Sequence, residues 1–525
     1  MEKQIILFNG GMNTKIAPHL VGENQAIECH NIDLTKGSIY PIKEFGERAT
    51  LEATGYSNIL FNGHLVSSEL SEKRSYAKFG SRLYFTNGSY GDYGLYRWNG
   101  TDVVDAVPPQ LSSYYGFGHT YTAGNLTGEY SYVYTVVDTE GIESAPSPIA
   151  TFSVADKQIE LTATGTEVIV GDQEVAYRRL YRTGGSNPTF NLIGEFAPTE
   201  LSFVDNIRDI DVSRIELTTF EEASPPADLI NLVQANGTMW ASAGNRVYFS
   251  GNGLPESWNA LDFIVLDDVC TGLGVFVNTV IAFTSTSCYV ISGTNRDNVY
   301  INKLPYQEGC LEHDTIANVT QMLVWTSANG ICAYNGSEVS LITKNILDWS
   351  GYARLGSLQF DALDSSFDSN TGYVVTSAVG LNAKYYAVFQ NGIGIIDMNN
   401  GVVASIIDFE EAVSIYYDYE ENAIGVVDEN LEITILDAGE FNMSGNWKTG
   451  LLHQGDYSIL KDYRKIEFDV APTNVKVYME DRKILDISNV KQFHLPPNSI
   501  GRAIQLDIYS NKEIRSVYIQ YGIVG

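Results

Sequence analysis

Catalysis needs nucleophiles, bases or metal ligands that converge, and in this chain the residue types able to provide them are scattered. The seven histidines, His19, His30, His64, His119, His313, His453 and His494, stand singly, with no two at zinc-ligand spacing. The five cysteines, Cys29, Cys270, Cys288, Cys310 and Cys332, are odd in number and form no C-x-x-C pair. That pattern predicts buried free thiols in a chain made in a reducing cytoplasm. No G-x-S-x-G elbow, H-E-x-x-H helix or P-loop occurs. Adjacent acids such as Glu410/Glu411 and Glu420/Glu421 are expected by chance among 64 Asp and Glu, so they say little about glycoside hydrolysis. In "DSSFDSNTGYV", Asp368, Asn370 and Gly372 are too closely spaced for a calcium loop and read as an Asx-capped hairpin turn. The expectation is a protein with no catalytic residue, no metal and no cofactor.

Charge narrows the partners. The net charge is −31, and between Glu216 and Glu440 six Lys/Arg face twenty-nine Asp/Glu. Static binding of nucleic acid requires cations against phosphates, so this region would repel it. The densest basic stretch, "YRRLYR", sets its charges on an apolar strand pair. The acidity serves solubility or, more sharply, makes a surface past which DNA moves without sticking. Apolar runs such as "GVFVNTVIAF" fall short of the roughly 20 residues that span a bilayer. The start, "MEKQIILFNGG", is too short in apolar residues for a secretory core.

The elements that would position any site are strands. With 47 Gly, 33 Tyr and 22 Phe in 525 residues, composition favours tight turns and aromatic sheet faces in three or four domains. A hairpin unit recurs in "NGTMWASAGNRVYFSGNG", "NTVIAFTSTSCYVISGTNRD", "TQMLVWTSANGICAYNGSEVS", "AKYYAVFQNGIGIIDMNNG" and "ENAIGVVDENLEITILDAG". Its anchors near Trp240, Ile281, Leu323, Tyr385 and Ala423 recur about every 40 residues with one longer step, which predicts propeller blades. "GSRLYFTNGSYGDYGLYRWNG" predicts a further blade before an interruption, and its aromatic loop could equally plug a channel or edge a blade.

The interruption alternates Tyr130, Tyr132 and Tyr134 on one face and contains no helix signal. It predicts a small β-sandwich like a fibronectin type III or immunoglobulin module. The end of the chain alternates again in "DYRKIEFDV", "NVKVYME", "AIQLDIYS" and "IRSVYIQYG". The expected fold is therefore all-β. An extended N-terminal arm (1–50) leads into the first part of a β-propeller (51–117), an inserted β-sandwich (118–213), the remainder of the propeller (214–445) and a C-terminal β-sandwich (446–525). In the arm, Gly10-Gly11 permits unusual backbone and Pro18 limits helix, while "GENQAIECHNID" predicts one short helix with Ala26 and Cys29 on a face. So open a segment draws its order from elsewhere. Phe8, Gly10, Gly11, Ala26 and Cys29 are the expected contacts with another subunit or an adaptor, against the alternative that the arm wraps its own propeller.

Three stretches in this order carry a resemblance: the arm "FNGGMNTKIAPHLVGENQAIECHNIDLTKGSIYPIKE", the blade end "NRVYFSGNGLPESWNA" after a Pro-Pro return, and "YQEGCLEHDTIANVTQMLVWTSANGICAYNGSEVSLITKNI". With the strand-rich end, they resemble the tail nozzle, or tail tubular protein B, of short-tailed bacteriophages. The resemblance implies a structural virion protein without enzymatic activity, assembled in the host cytoplasm. It implies a homo-hexameric ring below the head-to-tail adaptor, with tail fibres or spikes outside and genomic double-stranded DNA passing through the channel. The competing expectation is a carbohydrate-binding or host-adhesion propeller, a receptor-binding tail component.

Overall fold

Hairpin chemistry and aromatic alternation lead to strands throughout. The computed structural model describes residues 2–50, 60–61, 64–65, 75–86, 94–98, 103–106, 116–139, 141–164, 175–200, 202–219, 225–347, 377–389, 392–399, 402–409, 412–418, 422–428 and 432–524. The chain is all-β and of β-propeller type: among the described residues, five sheets are four-stranded and antiparallel, and four antiparallel strands within a nine-stranded sheet make a sixth unit of blade form. One runs Tyr76–Phe79, Arg82–Thr86, Leu95–Trp98, Val103–Asp105, and a second Ile230–Ala235, Thr238–Ala243, Arg246–Gly251, Leu254–Val265. A third is built on Thr279–Phe283, a fourth on Met322–Ser327 and a fifth on Lys384–Phe389. The anchors Trp240, Ile281, Leu323 and Tyr385 all lie on the second strand of their blades and are buried. Turn chemistry drives these hairpins. At Asn236-Gly237 both residues have φ near +52° and +72°, the twist that suits a two-residue hairpin loop. The turn region around Asp368 lies outside the described residues, as do Glu410, Glu411, Glu420 and Glu421.

The sixth blade joins the arm to a late part of the chain. Ala412–Asp418, Ala423–Asp428 and Glu432–Ile435 form three strands, and the fourth is Gly46–Thr50 from the arm, antiparallel to Glu432–Ile435. The arm enters two more sheets. Glu2–Ile6 pairs antiparallel with Val517–Ile523. Ala26–His30 pairs antiparallel with Gly445–Thr449 and, at His30, runs parallel beside Ile406. The fifth blade, Ala26–His30 and the C-terminal strands thereby form one nine-stranded sheet, so the expected boundary at residue 445 falls inside continuous hydrogen bonding.

The C-terminal sandwich consists of part of that sheet facing a second one, ordered Glu2–Ile6, Val517–Ile523, Lys461–Phe468, Gln492–His494. Its core takes Ile466, Phe468, Val475, Val477, Leu506, Ile508 and Ile519 from the sandwich, and Ile6, Phe8, Met12, Ala26 and Cys29 from the arm. Phe8 meets Trp447 edge to face, centroids 5.4 Å apart. The expected short helix is a strand. A register shift between Ala26 and Glu28 puts an extra residue in the strand, so Ala26 and Cys29, three apart, both turn inward. A bulge thus imitates helical spacing.

The chain divides into two compact units, Met1–Ser71 with Asp268–Val290 and Asn302–Gly525, and Glu72–Asp267 with Ile291–Ile301. The insert belongs to the latter. Its facing layers come from one five-stranded sheet, ordered Asn187–Phe196, Val175–Gly184, Gly116–Asp138, Ala150–Thr164, Ser202–Asp205. Gly116–Asp138 has 23 residues, too long to stay flat, and register shifts between Ala123 and Gly128 bend it. The sheet curls until its edges meet: a side chain at Gly194 on one edge would come 2.6 Å from the Phe203 ring on the other. Tyr130, Tyr132 and Tyr134 lie in the core so enclosed, as their alternation predicts.

Because Phe8 is fully buried between arm and sandwich, Phe8→Ala is expected to lower unfolding free energy by about 3–5 kcal/mol in a urea titration. An arm that merely lay on a neighbouring copy would leave the single-chain value within about 0.5 kcal/mol of the parent.

Candidate functional site

The residues singled out in the arm come together, but inside their own chain. Phe8, Gly11, Ala26 and Cys29 are buried, and Phe8, Ala26 and Cys29 lie in the core that the arm shares with the C-terminal sandwich. Gly10 is half-buried, its N–H donates to the Asn24 carbonyl at 2.9 Å, and an added Cβ would come 2.6 Å from that same oxygen. The arm lies there for a physical reason: strand edges of the last blade and of the sandwich offer backbone partners that it satisfies.

A polar clasp holds the arm at its middle. Asn31 sits at φ +55°, donates its N–H to the Ile406 carbonyl at 2.7 Å and its side-chain amide to Asp408 Oδ2 at 2.8 Å. Asp408 N–H in turn donates to Asn31 Oδ1. His30 Nδ1 lies 2.5 Å from Asp408 Oδ1. The hydrogen bond to Asp408 raises the His30 pKa; burial opposes, and the charges of Asp408 and Glu28 add to the rise. For Asp408, burial works upward, but His30 and Asn31 hold the carboxyl below its ordinary value. Lys384 to Asp33 at 2.8 Å and Lys448 to Glu28 at 2.6 Å tie further arm residues down.

Two buried charge networks lie within the unit that carries the insert. Arg97, on Leu95–Trp98, reaches Asp138 at 3.2 Å and Glu256 at 3.8 Å. Tyr84 hydrogen-bonds the same Glu256 carboxylate, with Arg82 at 3.6 Å. Burial raises the Glu256 pKa against the opposing pull of Tyr84 and the two arginines. Asp138 ends the insert's long strand, so the network links two blades to the base of the insert. Inside the curl, Arg182 Nη1 donates to Asp205 Oδ2 at 2.7 Å with both side chains 0% exposed, and the Tyr132 hydroxyl donates to Asp205 at 2.8 Å. Arg182 also reaches Asp209 at 3.1 Å. These are the "YRRLYR" arginines. Arg178 and Arg182 alternate with Leu180 on the inner face, where every second position points whatever its polarity.

All five cysteines are free and buried. Burial pushes the Cys332 thiol up to about 12 and those of Cys29, Cys288 and Cys310 higher still, which leaves them protonated and inert at neutral pH. Around them Glu308 accepts from Ser327 at 2.9 Å and Asn329 at 3.1 Å, fastening one hairpin. Among the described residues no group of three or more His, Cys, Asp or Glu could hold a metal ion, and no helix is long and apolar enough to cross a membrane. Sequence reading missed Glu256, Asp205 and Asp408; the one available signal was the even spacing of Arg178 and Arg182 on a strand that must bury one face.

Two outcomes are expected. Asp205→Asn, which leaves Arg182 buried against a neutral amide, should lower stability by about 3–5 kcal/mol in chemical denaturation. The His30–Asp408 pair should contribute most below the ordinary histidine value of 6.5 and lose that contribution as pH rises through the raised value in the fold. The urea midpoint gap between the parent and Asp408→Asn should therefore be wider near pH ~5.5 than near pH ~9. A gap that does not change with pH removes the pair from the account.

No protein-family model matches the chain, and no curated protein is similar to it. Solved structures similar to it include the Pan2 WD40 domain of Neurospora crassa, at 7% identity over 64% of this chain and 91% of that one, TM-score 0.24. Sqt1 of Saccharomyces cerevisiae is similar at 9% identity over 74% and 98%, TM-score 0.24. AztD of Citrobacter koseri is similar at 9% over 73% and 98%, TM-score 0.26. At such values the superpositions carry no inference about activity, and the blades are identified by their own strand order.

Proposed function

We propose that the chain is a non-enzymatic structural subunit that assembles with copies of itself into the tail nozzle of a short-tailed phage. In that role six copies form a ring below a head-to-tail adaptor, fibres or spikes dock outside, and genomic DNA passes through the virion's channel. The carrying observation is that buried charges are engaged in joining elements: Arg97 with Asp138 and Glu256, and Arg182 with Asp205. Convergent side chains of this kind brace the elements they join. The sequence resemblance points the same way. The acidic surface also suits the role, since exposed Asp228, Asp267, Asp268, Asp297 and Asp314 repel phosphates where a basic wall would hold them.

The competing reading is a carbohydrate-binding or host-adhesion propeller. Sugar platforms need exposed indoles, and Trp240, Trp258, Trp325 and Trp447 are all fully buried. That leaves two of the six tryptophans for such a face.

Native mass spectrometry of the purified chain at high concentration tests the proposal. A closed ring of identical copies is expected, together with no retention of double-stranded DNA at low salt. A monomer under all conditions, or tight DNA binding, overturns it.

A further inference from the structure

The closing stretch of the insert, residues 206–217, is fastened along its length and yet turns two isoleucines to solvent. Arg182 Nη1 donates to the Ile207 carbonyl at 2.8 Å, and its Nη2 reaches Asp209 at 3.1 Å. The Ser186 N–H donates to Asp209 Oδ2 at 3.0 Å, and the Asn187 amide to the Asp209 carbonyl at 3.2 Å. Farther along, the Leu192 N–H donates to the Ile215 carbonyl at 2.8 Å and the Leu217 N–H to the Phe190 carbonyl at 2.9 Å. The stretch thereby lines the edge strand Asn187–Phe196. Between these fastenings Ile210 is 86% exposed and Ile215 56%. Single exposed apolar side chains are ordinary. A segment already fixed by its own chain, however, loses little further freedom on contact, and that favours docking.

The charges around the isoleucines balance. Asp209 turns inward to Arg182, while Arg208, Asp211, Arg214 and Glu216 are exposed, two of each sign. Arg208 and Asp211 pair at 2.7 Å within reach of water, 66% and 49% exposed, so the pair is open to exchange with charges on a partner. A polyanion or a strongly basic protein would meet as many repulsions as attractions here. A second copy would not. Turned by half a revolution, the segment sets its arginines against its own acids and isoleucine against isoleucine, the self-complementarity that a twofold contact requires. The net charge of −31 opposes contact between copies in general, so a charge-balanced apolar segment is where they approach at least cost.

We propose that residues 206–217 dock on the same residues of a second copy about a twofold axis, with Ile210 and Ile215 at the centre and the four exposed charges around them. The contact goes beyond the ring, whose neighbours repeat head to tail, so either can fail alone. A patch of about a dozen residues a side is smaller than a standard interface, which sets a weak pairing with Kd of about 10–100 μM. Sedimentation velocity and native mass spectrometry of the full chain over about 1–300 μM test it. The parent should double in mass as concentration rises, from monomer to dimer or from ring to paired rings. Ile210→Asp should weaken the doubling at least about tenfold while leaving any ring intact. Arg208→Asp should weaken it similarly, and Arg208→Asp combined with Asp211→Arg, which restores the balance, should recover it. No doubling of the parent by about 300 μM overturns the proposal, as does doubling that Ile210→Asp leaves unchanged or that the double exchange fails to recover. Ile210 and Arg208 stand outside the core, so these variants keep the parent's fold.

Discussion

Backbone pairing between the first strands and the last is the interaction on which the rest of the structure depends. Tyr521 bonds to Glu2 across 519 positions of sequence, and Gly46–Thr50 completes a blade whose other strands lie near residue 430. An unpaired strand edge exposes a row of donors and acceptors, and the arm satisfies three such edges. The entropy of closing so long a loop is only modestly greater than for a short one, since each doubling of length adds about 0.6 kcal/mol. The larger consequence is kinetic. The arm's strands must wait for partners made much later, so the arm's core residues stay exposed until the C-terminal strands exist.

Electrostatics divides into two regimes. On the surface a large negative excess sits on turns and hairpin ends, where water and counter-ions screen it. Inside, the arginines at the insert's base and in its curl are held in ion pairs, because a lone buried ion would cost several kcal/mol. Arg182 with Asp205, and Arg97 with Asp138, are placed where sheets bend or join. Their geometry fixes direction as well as energy: a planar guanidinium that serves two carboxylates, as Arg182 serves Asp205 and Asp209, allows fewer orientations than apolar contact would. The insert's base and its curl are therefore held in register by charge, while the blades depend on aliphatic and aromatic second strands.

Much of this organisation was legible in the chain. Hairpin turns and a period of about 40 residues located the second strands at Trp240, Ile281, Leu323 and Tyr385. Alternating Tyr130, Tyr132 and Tyr134 marked the insert's core, and the cysteine pattern foretold buried thiols. The arm was misread at one element, because a bulge at Ala26–Glu28 produced the three-residue spacing that signals a helix. Nothing local distinguishes the two when the deciding partner, Gly445–Thr449, lies 400 residues away.

Periodicity, turn residues and charge composition determined by themselves that this is an acidic, strand-built chain with repeated hairpins, an insert and a strand-rich end, since those properties reside in neighbouring residues. Only the tertiary structure decided which edges the arm closes, that one long strand curls the insert into two layers, and which few of the many acids become buried partners. Those outcomes depend on hydrogen bonds and ion pairs between distant residues, and no local pattern records which distant residue will be present.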